Sequence, residues 1–372
     1  MAEQVEPESI GVLQRVLSAA GVHGLANTVW GYVDKTIRWC WIPNWLPSWC
    51  PTSKIQLQAS EEKMLQYVST AFTKEFVPIS NGNLLWTLSF CSDHVKDKTP
   101  IVLMHGFGGG VGLWAQNLDE LSQQRPVFAL DLLGFGQSTR PVFPTDAAEA
   151  EEQFVESIEE WRASVGLESM ILLGHNLGGF LALSYSIQFP GRVKHVVLVE
   201  PWGFPDRPET SDSDQLIPVW IKALSAMFSP FNPLASLRLV GPLGPTLVQT
   251  LRPDFKKKFS SLFSDNTVSE YIYHLNVQSP SGETAFKNMT GPCGCAKRPM
   301  LQRIDQLHPD IPISIIYGSR SSIDSISGFT VKKMRPRSHV EIIMIRGAGH
   351  YAYADHPEDF NHRLLDVCDK VD

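Results

Sequence analysis

The stretch Gly174-His175-Asn176-Leu177-Gly178-Gly179 decides the fold of this chain. It follows the apolar run Met170–Leu173 and precedes a second apolar run with helical character, Phe180–Tyr185. A buried strand, a tight glycine turn and a helix in this order predict a sharp turn at the carboxyl edge of a sheet, with its central side chain exposed. That central residue is Asn176, and asparagine tolerates the positive φ that such a turn requires.

Turns of this kind present a serine nucleophile, whose hydroxyl is activated by an adjacent base. The carboxamide nitrogen of Asn176 is delocalised into its carbonyl and has no comparable activated form. The substitution therefore preserves the turn and argues against hydrolysis. Deamidation of Asn176 to an aspartate nucleophile is an alternative, but the next residue is Leu177 rather than glycine, which should make deamidation slow.

Seven further apolar segments surround this turn and predict strands. They alternate with helical segments, of which residues 147–164 are the longest in this part of the chain, with Glu149, Glu151 and Glu152 in its solvated early turns. This alternation predicts an α/β fold with a mostly parallel sheet and right-handed crossovers. The eight predicted strands are residues 76–79, 84–90, 100–104, 127–131, 169–173, 194–200, 311–317 and 339–345.

A glycine-rich turn, His105–Gly110, follows the inner strand at 100–104. A loop in this position can donate one backbone N–H to a developing oxyanion, and the residue after the central turn residue donates the other. We therefore predict that Phe107 and Leu177 form an oxyanion-hole-like pair.

Two polar residues follow the last two predicted strands, at the edge where the central turn also lies. Asp324 follows one strand and His350 follows the next, which completes the chain order nucleophile, acid, base. Glu200, at the end of another strand, is the weaker candidate for the acid. The predicted triad is therefore Asn176 as a degenerate nucleophile, Asp324 and His350.

The strand pattern stops between residues 201 and 300, where apolar helices separated by prolines take over. These helices are predicted at residues 217–228, 233–239, 246–251 and 268–276. We predict a helical cap here, whose apolar character suits either an acyl-chain pocket or a plain hydrophobic core. The cap contains Lys256-Lys257-Lys258-Phe259-Ser260, in which Ser260 is a candidate phosphorylation site and a solvated basic turn is the alternative. The predicted divisions are an arm at 1–74, the two core parts at 75–200 and 301–372, and the cap between them.

The arm is predicted to contain a weakly amphipathic helix at residues 8–38 and a short helix that begins at the N-cap Ser60 and runs to about residue 72. Between them lies a tryptophan-rich segment in which Trp41, Trp45 and Trp49 recur at every fourth residue beside prolines. Prolines exclude a regular helix there, and the amphipathic indole ring favours the interface of a lipid layer. We predict a shallow lipid-surface anchor, and the alternative is an arm whose rings pack on the body. A single anchor binds reversibly, so a second contact is expected.

Bulk composition excludes several classes of function. The chain has 372 residues, 43% of them hydrophobic, and a net charge of −7, so a general affinity for nucleic acid is not expected. The six cysteines form no zinc-type spacing, and we predict reduced cytosolic thiols with no metal and no cofactor. The acidic start lacks the basic region of a signal peptide, and no apolar run is long enough for a transmembrane span.

The asparagine at the central turn, the segment Trp45–Thr52, the segment Glu61–Leu65 and the segment His350–Asp355 together resemble one family. It is the α/β-hydrolase-domain subfamily of lipid enzymes, whose serine members act on N-acyl phospholipids, and within it the branch found on lipid droplets. The resemblance covers nearly the whole chain from Trp39 onward and is looser over residues 201–300. It implies the α/β-hydrolase fold, with an eight-stranded, mostly parallel sheet, a helical cap and a tryptophan-rich arm.

The resemblance also implies a function that the residues alone do not. It implies a catalytically degenerate, cytoplasmic protein that lies peripherally on the lipid-droplet monolayer and co-activates adipose triglyceride lipase in triacylglycerol breakdown. Arg320 and Gly349 are the implied contacts for the lipase, and perilipin-type coat proteins are further implied partners. The alternative that the resemblance implies is acyl-CoA-dependent transfer to lysophosphatidic acid, with His350 and Asp355 in a His-x-x-x-x-Asp motif.

Overall fold

The computed structural model describes residues 52–205, 234–291, 294–323 and 325–372. Trp41, Trp45, Trp49 and Asp324 lie outside the described residues, as do the helices predicted at 8–38 and 217–228.

The eight predicted strands form one sheet in the order β1-β2-β4-β3-β5-β6-β7-β8. The hairpin β1–β2 is antiparallel, and β2 also runs antiparallel to β4. All other neighbours pair in parallel, which confirms the predicted mostly parallel sheet. The strands are β1 (Thr73–Pro78), β2 (Leu84–Phe90), β3 (Ile101–Met104), β4 (Val127–Leu130), β5 (Met170–His175), β6 (Val193–Val199), β7 (Ile313–Gly318) and β8 (Val340–Ile345).

Helices cover both faces of the sheet and its carboxyl edge. The predicted cap helices at 233–239, 246–251 and 268–276 are present with small shifts in their ends. The helices are α1 (Lys54–Leu65), α2 (Leu118–Gln124), α3 (Ala147–Ser164), α4 (Leu177–Gln188), α5 (Ala235–Leu239), α6 (Gly244–Leu251), α7 (Pro253–Lys258), α8 (Thr267–Asn276), α9 (Gly282–Met289), α10 (Ile326–Met334), α11 (Ala352–Asp355) and α12 (Pro357–Cys368).

The central strands are buried on both faces, since β3, β4, β5 and β7 expose no residue. Two apolar clusters flank the sheet, one on each side. Burial on both faces is characteristic of parallel strands connected by helices, and it keeps the strand ends in fixed positions. The carboxyl edge is therefore a rigid base for the loops that follow each strand.

Helix α1 begins earlier than the sequence indicated. The side chain of Ser53 caps it by accepting a hydrogen bond from the Gln56 N–H, whereas Ser60, the predicted cap, is buried inside the helix. Glu61 is also buried, and its Oε1 accepts hydrogen bonds from Trp86 Nε1 and Gln137 Nε2, both at 2.7 Å. Helix α1, which the predicted division at 1–74 includes in the arm, thus packs as part of the core.

Helix α3 matches the prediction at both ends, with Asp146 as its N-cap. One of its early carboxylates, however, is not solvated as predicted. Glu151 is 1% exposed and pairs with Arg303 at 2.7 Å and Arg298 at 3.1 Å. Arg298 lies at the end of the predicted cap segment and Arg303 just after it, and their pairing with Glu151 offsets the cost of burying its carboxylate.

No helix within the described ranges is both long and apolar enough to cross a membrane.

Candidate functional site

The turn after β5 has the sharp geometry that the sequence predicts. Asn176 adopts φ 50° and ψ −112°, and its N–H donates to the Val199 carbonyl at 2.9 Å. A Cβ on Gly174 would lie 2.1 Å from the Gly178 carbonyl oxygen, so the turn closes only with glycine at this position. The central side chain is thereby held at the carboxyl edge of the sheet.

The Asn176 side chain is half-buried and lines a cavity of about 690 Å³. Its carboxamide makes no hydrogen bond with any side chain or backbone group in the described part of the chain. His350 lines the same cavity, but it is not bonded to this amide. The position of the nucleophile is thus filled by a group that neither ionises nor is fixed by the described residues.

His350 follows β8, where the sequence predicts the base. Its Nδ1 lies 3.7 Å from Glu200 Oε2, which is longer than a hydrogen bond, and its side chain is 29% exposed. The His350 carbonyl accepts a hydrogen bond from His175 Nε2 at 2.9 Å. The ring is therefore placed between a buried carboxylate and the cavity, as a general base must be.

Glu200 occupies the position of an acid beside His350. It is fully buried, and its φ of 48° is positive, which is rare for a residue with a side chain. Its Oε1 accepts a hydrogen bond from the Gly318 N–H at 2.5 Å, and Oε2 accepts one from the Ser321 hydroxyl. Strain of this kind clusters at functional sites. Asp324, the predicted acid, lies outside the described residues, and within the described part of the chain the Glu200 carboxylate lies beside the His350 ring.

The imidazole of His175, which lies beside His350, is held in its neutral form. Burial, together with the proximity of His350, lowers the pKa of His175 well below its usual value. His175 is therefore neutral at physiological pH, with its proton on Nε2, because that nitrogen donates to a carbonyl oxygen. Its Nδ1 then has no proton to donate, and it finds no hydrogen-bond partner in the described part of the chain.

The predicted oxyanion loop lies directly against the turn. A Cβ on Gly106 would be 2.8 Å from the Asn176 Cβ, so the two backbones are in close contact. The backbone N–H groups of Phe107 and Leu177 find no acceptor among the described residues, as an oxyanion hole requires. The Asn276 side chain, from cap helix α8, donates to the Gly108 carbonyl at 2.9 Å and holds the loop.

A cavity of about 690 Å³ opens above Asn176 and His350. Cap helices α5 to α9 supply most of its walls, which are largely apolar, and a cluster of charged residues from α7 and its start lies on one side. A cavity of this size and character fits an acyl chain with a polar end. Its wall includes Phe107, Leu113, Trp202, Leu237, Val248, Ile272 and Phe286, and the charged residues are Arg252, Asp254 and Lys258.

Asp355 is not directed at the His350 ring. Its Oδ2 accepts a hydrogen bond from the Gly349 N–H at 2.8 Å, and its Oδ1 pairs with Lys258 of the cap. The His-x-x-x-x-Asp spacing therefore brings the two residues to one turn, but it does not make Asp355 the partner of His350.

Arg320 and Gly349 lie on adjoining turns at the carboxyl edge. The Arg320 N–H donates to the Ala348 carbonyl at 2.8 Å, and Arg320 is exposed.

Ser260, the candidate phosphorylation site, is exposed just after α7, and its hydroxyl donates a hydrogen bond to the Lys257 carbonyl. Within the described ranges, no cluster of His, Cys, Asp or Glu side chains is arranged so that it could hold a metal ion.

Sequence reasoning did not single out Asn276 and Lys258 as site residues. Both come from the cap and contact loops about 100 or more positions away in sequence, as the pairs Asn276–Gly108 and Lys258–Asp355 show. No local pattern marks such residues, since neither the spacing nor the residue type is unusual. Glu200 did have a signal, because it ends a strand adjacent to β5.

Comparison with known proteins places this geometry in a family. Residues 99–357 match the family model of the alpha/beta hydrolase fold. Among solved structures, naproxen esterase from Bacillus subtilis superposes with a TM-score of 0.61 at 15% identity, covering 84% of this chain and 97% of the esterase. At that identity the likeness concerns the fold alone.

Two curated relatives cover nearly the full length. The human protein named 1-acylglycerol-3-phosphate O-acyltransferase ABHD5 is 63% identical over 89% of this chain and 95% of its own length. The human (lyso)-N-acylphosphatidylethanolamine lipase is 52% identical over 89% of this chain and 97% of its own length. These relatives confirm the subfamily that the sequence motifs indicated.

Proposed function

The chain belongs to the α/β-hydrolase fold family, and on that premise we propose that it is a catalytically degenerate member that serves as an adaptor on lipid droplets. In this role it co-activates a triglyceride lipase of the adipose type during triacylglycerol breakdown. The proposal separates the fold, which is that of an enzyme, from the activity, which belongs to the partner.

The observation that carries the proposal is Asn176 at the apex of an otherwise enzyme-like turn. The N–H groups of Phe107 and Leu177 have no acceptor among the described residues, and His350 lies 3.7 Å from the Glu200 carboxylate. The residue that should attack is instead an amide. A neutral amide cannot be activated by a base as a hydroxyl is. Loss of this one group removes nucleophilic catalysis and leaves the scaffold intact.

The surface around Arg320 and Gly349 supports a contact with the lipase. A hydrogen bond from the Arg320 N–H to the Ala348 carbonyl connects the two turns on which Arg320 and Gly349 lie. Arg320 is exposed and can therefore contact a partner. Arginine is enriched among the residues that dominate interface energies. We place the lipase contact here.

Trp41, Trp45 and Trp49 are proposed to hold the protein on the droplet monolayer, although they lie outside the described residues. Perilipin-type coat proteins are proposed as further partners there. Ser260, exposed next to three lysines, is proposed as a phosphorylation site that alters these contacts.

Purified full-length protein is expected to raise the rate of triglyceride hydrolysis by an adipose-type lipase severalfold, and to hydrolyse no ester by itself. The Arg320→Ala variant is expected to lose most of this effect, because an interface arginine can contribute about 2 kcal/mol or more of binding free energy. Fatty-acid release from emulsified triglyceride, with and without each protein, measures both quantities.

Two controls separate the partner contact from the lipid contact. The exposed Lys332→Ala variant removes a cation elsewhere on the surface and should co-activate like wild type. A triple variant with alanine at positions 41, 45 and 49 should lose droplet flotation yet keep its thermal stability. Lipase activation by wild type that is no greater than by albumin would rule out the proposed function.

A second candidate function is acyl transfer to a lysophosphatidic acid, which the name of the ABHD5 relatives favours. The apolar cavity with Arg252 and Lys258 in its wall supports it, since an acyl chain and an anionic head group would both be accommodated. Asp355 supports it less well, because its carboxylate pairs with Lys258 and Gly349 instead of His350. If transfer occurs, Glu200 is the better orienter of His350.

Acyl transfer, if it belongs to this protein, should require His350. With acyl-CoA and lysophosphatidic acid as substrates, His350→Ala is expected to lower the rate about a hundredfold or more, since a positioned general base typically accelerates a reaction by at least about that factor. Product formation by chromatographically pure wild type, compared with the variant and a protein-free blank, measures it. Equal product in all three would exclude this candidate.

A further inference from the structure

Lys258 and Asp355 join the cap to the loop that carries His350. Lys258 is the last residue of α7 in the cap, and its ammonium group contacts Asp355 Oδ1. The side chains are 11% and 17% exposed, respectively. An ion pair this well buried differs from a surface pair, because removing either partner leaves an uncompensated charge away from water.

The other carboxylate oxygen of Asp355 reaches into the loop after β8. Oδ2 accepts a hydrogen bond from the Gly349 N–H at 2.8 Å, and Gly349 precedes His350 in the chain. A single carboxylate thus binds the cap with one oxygen and the His350 loop with the other. Its backbone is fixed as well, since the Asp355 N–H donates to the Tyr351 carbonyl at 2.8 Å.

The loop held in this way touches both functional regions of the molecule. On one side of Gly349, the Ala348 carbonyl accepts the hydrogen bond from Arg320. On the other side, the His350 carbonyl accepts the hydrogen bond from His175. A shift of Gly349 would therefore displace the Arg320 surface and the His350 ring together.

Lys258 has a second carboxylate nearby on its own helix, α7. Asp254 Oδ2 lies 3.9 Å from the Lys258 ammonium group and also binds Arg252. Because Lys258 lines the cavity as well, its partner is set by the position of α7 over the site. The Lys258–Asp355 contact is thus a contact that movement of the cap would break.

From this geometry we infer that Lys258 and Asp355 are positioning residues, which lock the Gly349–His350 loop to the cap and thereby set the shape of the Arg320–Gly349 surface. The aspartate of the His-x-x-x-x-Asp segment then acts as a structural link and not as the partner of a base. This inference rests on the proposed function only where it concerns the lipase.

Hydrogen exchange at the Gly349 amide in the full-length protein tests the link. In Lys258→Met this amide is expected to exchange about tenfold faster than in wild type, because Asp355 without its cation turns toward solvent. Lys258→Arg should restore slow exchange, since a guanidinium can also reach the carboxylate. Lys257→Met, which removes the exposed neighbouring lysine, is the matched control and should exchange like wild type.

Amides of β5, measured in the same samples, show whether a variant is destabilised as a whole. Exchange that is faster at Gly349 but unchanged in β5 supports the link, and Asp355→Asn should give the same pattern. Equal exchange at Gly349 in Lys258→Met and Lys257→Met would overturn it. So would faster exchange throughout β5, because the pair would then stabilise the fold generally instead of positioning one loop.

Lipase co-activation by the same variants provides the second readout. Lys258→Met should co-activate less than Lys257→Met, and Lys258→Arg should restore the wild-type level. If wild type itself fails to co-activate, the proposed function is wrong, while the exchange data still decide whether the link exists. If Lys258→Met loosens Gly349 and co-activates like wild type, the inferred effect on the Arg320–Gly349 surface is overturned.

Discussion

The Asn176→Ser variant is expected to hydrolyse a small water-soluble aryl ester about a hundredfold or more faster than wild type. A serine hydroxyl would enter the cavity that His350 also lines, beside the N–H groups of Phe107 and Leu177, which lack an acceptor among the described residues. These are the remaining components of a hydrolase site. The rate of product release, measured against the uncatalysed reaction, gives the gain.

Double variants identify which residues support the new activity. Asn176→Ser with His350→Ala should return to the wild-type level, because the base is missing. Adding Glu200→Gln tests the carboxylate seen beside His350, and adding Asp324→Asn tests the acid that the chain order indicates. A larger loss with Glu200→Gln would assign the acid to Glu200. Absence of any gain in a folded Asn176→Ser variant would show that more than the nucleophile has been lost.

Gly174→Ala is expected to destabilise the protein by about 4 kcal/mol or more, which is a large part of the stability of a typical domain. The added Cβ would lie 2.1 Å from the Gly178 carbonyl oxygen, which belongs to the backbone of α4 and cannot move aside as a flexible side chain would. The turn cannot yield without separating β5 from α4. Soluble yield and the midpoint of thermal unfolding measure the effect.

Gly191→Ala is the matched control for this substitution. Its Cβ would meet no atom within 4 Å, so the same chemical change should alter the stability by no more than about 1 kcal/mol. If the two variants unfold at similar temperatures, the turn after β5 is not the rigid element described above.

Most of the fold could be predicted because its signals are local. Strands such as β3 and β5 are continuous apolar runs that end in glycine-rich turns, and α3 has an N-cap at Asp146 followed by helical periodicity. The order of the site loops follows from the order of the strands. The loops that carry His350, Phe107 and Leu177 could therefore be placed at the carboxyl edge from the sequence, while the roles of these three residues stay predictions.

The features that were not predicted depend on contacts between distant segments. Glu151 looks solvated in a run of acidic residues, yet it is buried and pairs with Arg298 and Arg303, about 150 positions later. Glu200 appeared the weaker acid, because a sequence does not reveal a strained φ or a short distance to His350. Such pairings emerge only when the sheet brings the segments together.

Burial of Glu61 determines where this protein can be shortened. A deletion ending at residue 74, where sequence composition suggests a boundary, would take away α1 and its carboxylate. Trp86 Nε1 and the Gln137 side chain would then lose their hydrogen-bond acceptor. The apolar core residues that now pack against Leu57 and Met64 would become exposed to water. A deletion that stops before Ser53 keeps the helix with its cap. The tryptophan-rich segment can therefore be removed for biochemical work only if the truncation leaves α1 intact, because α1 is part of the hydrophobic core.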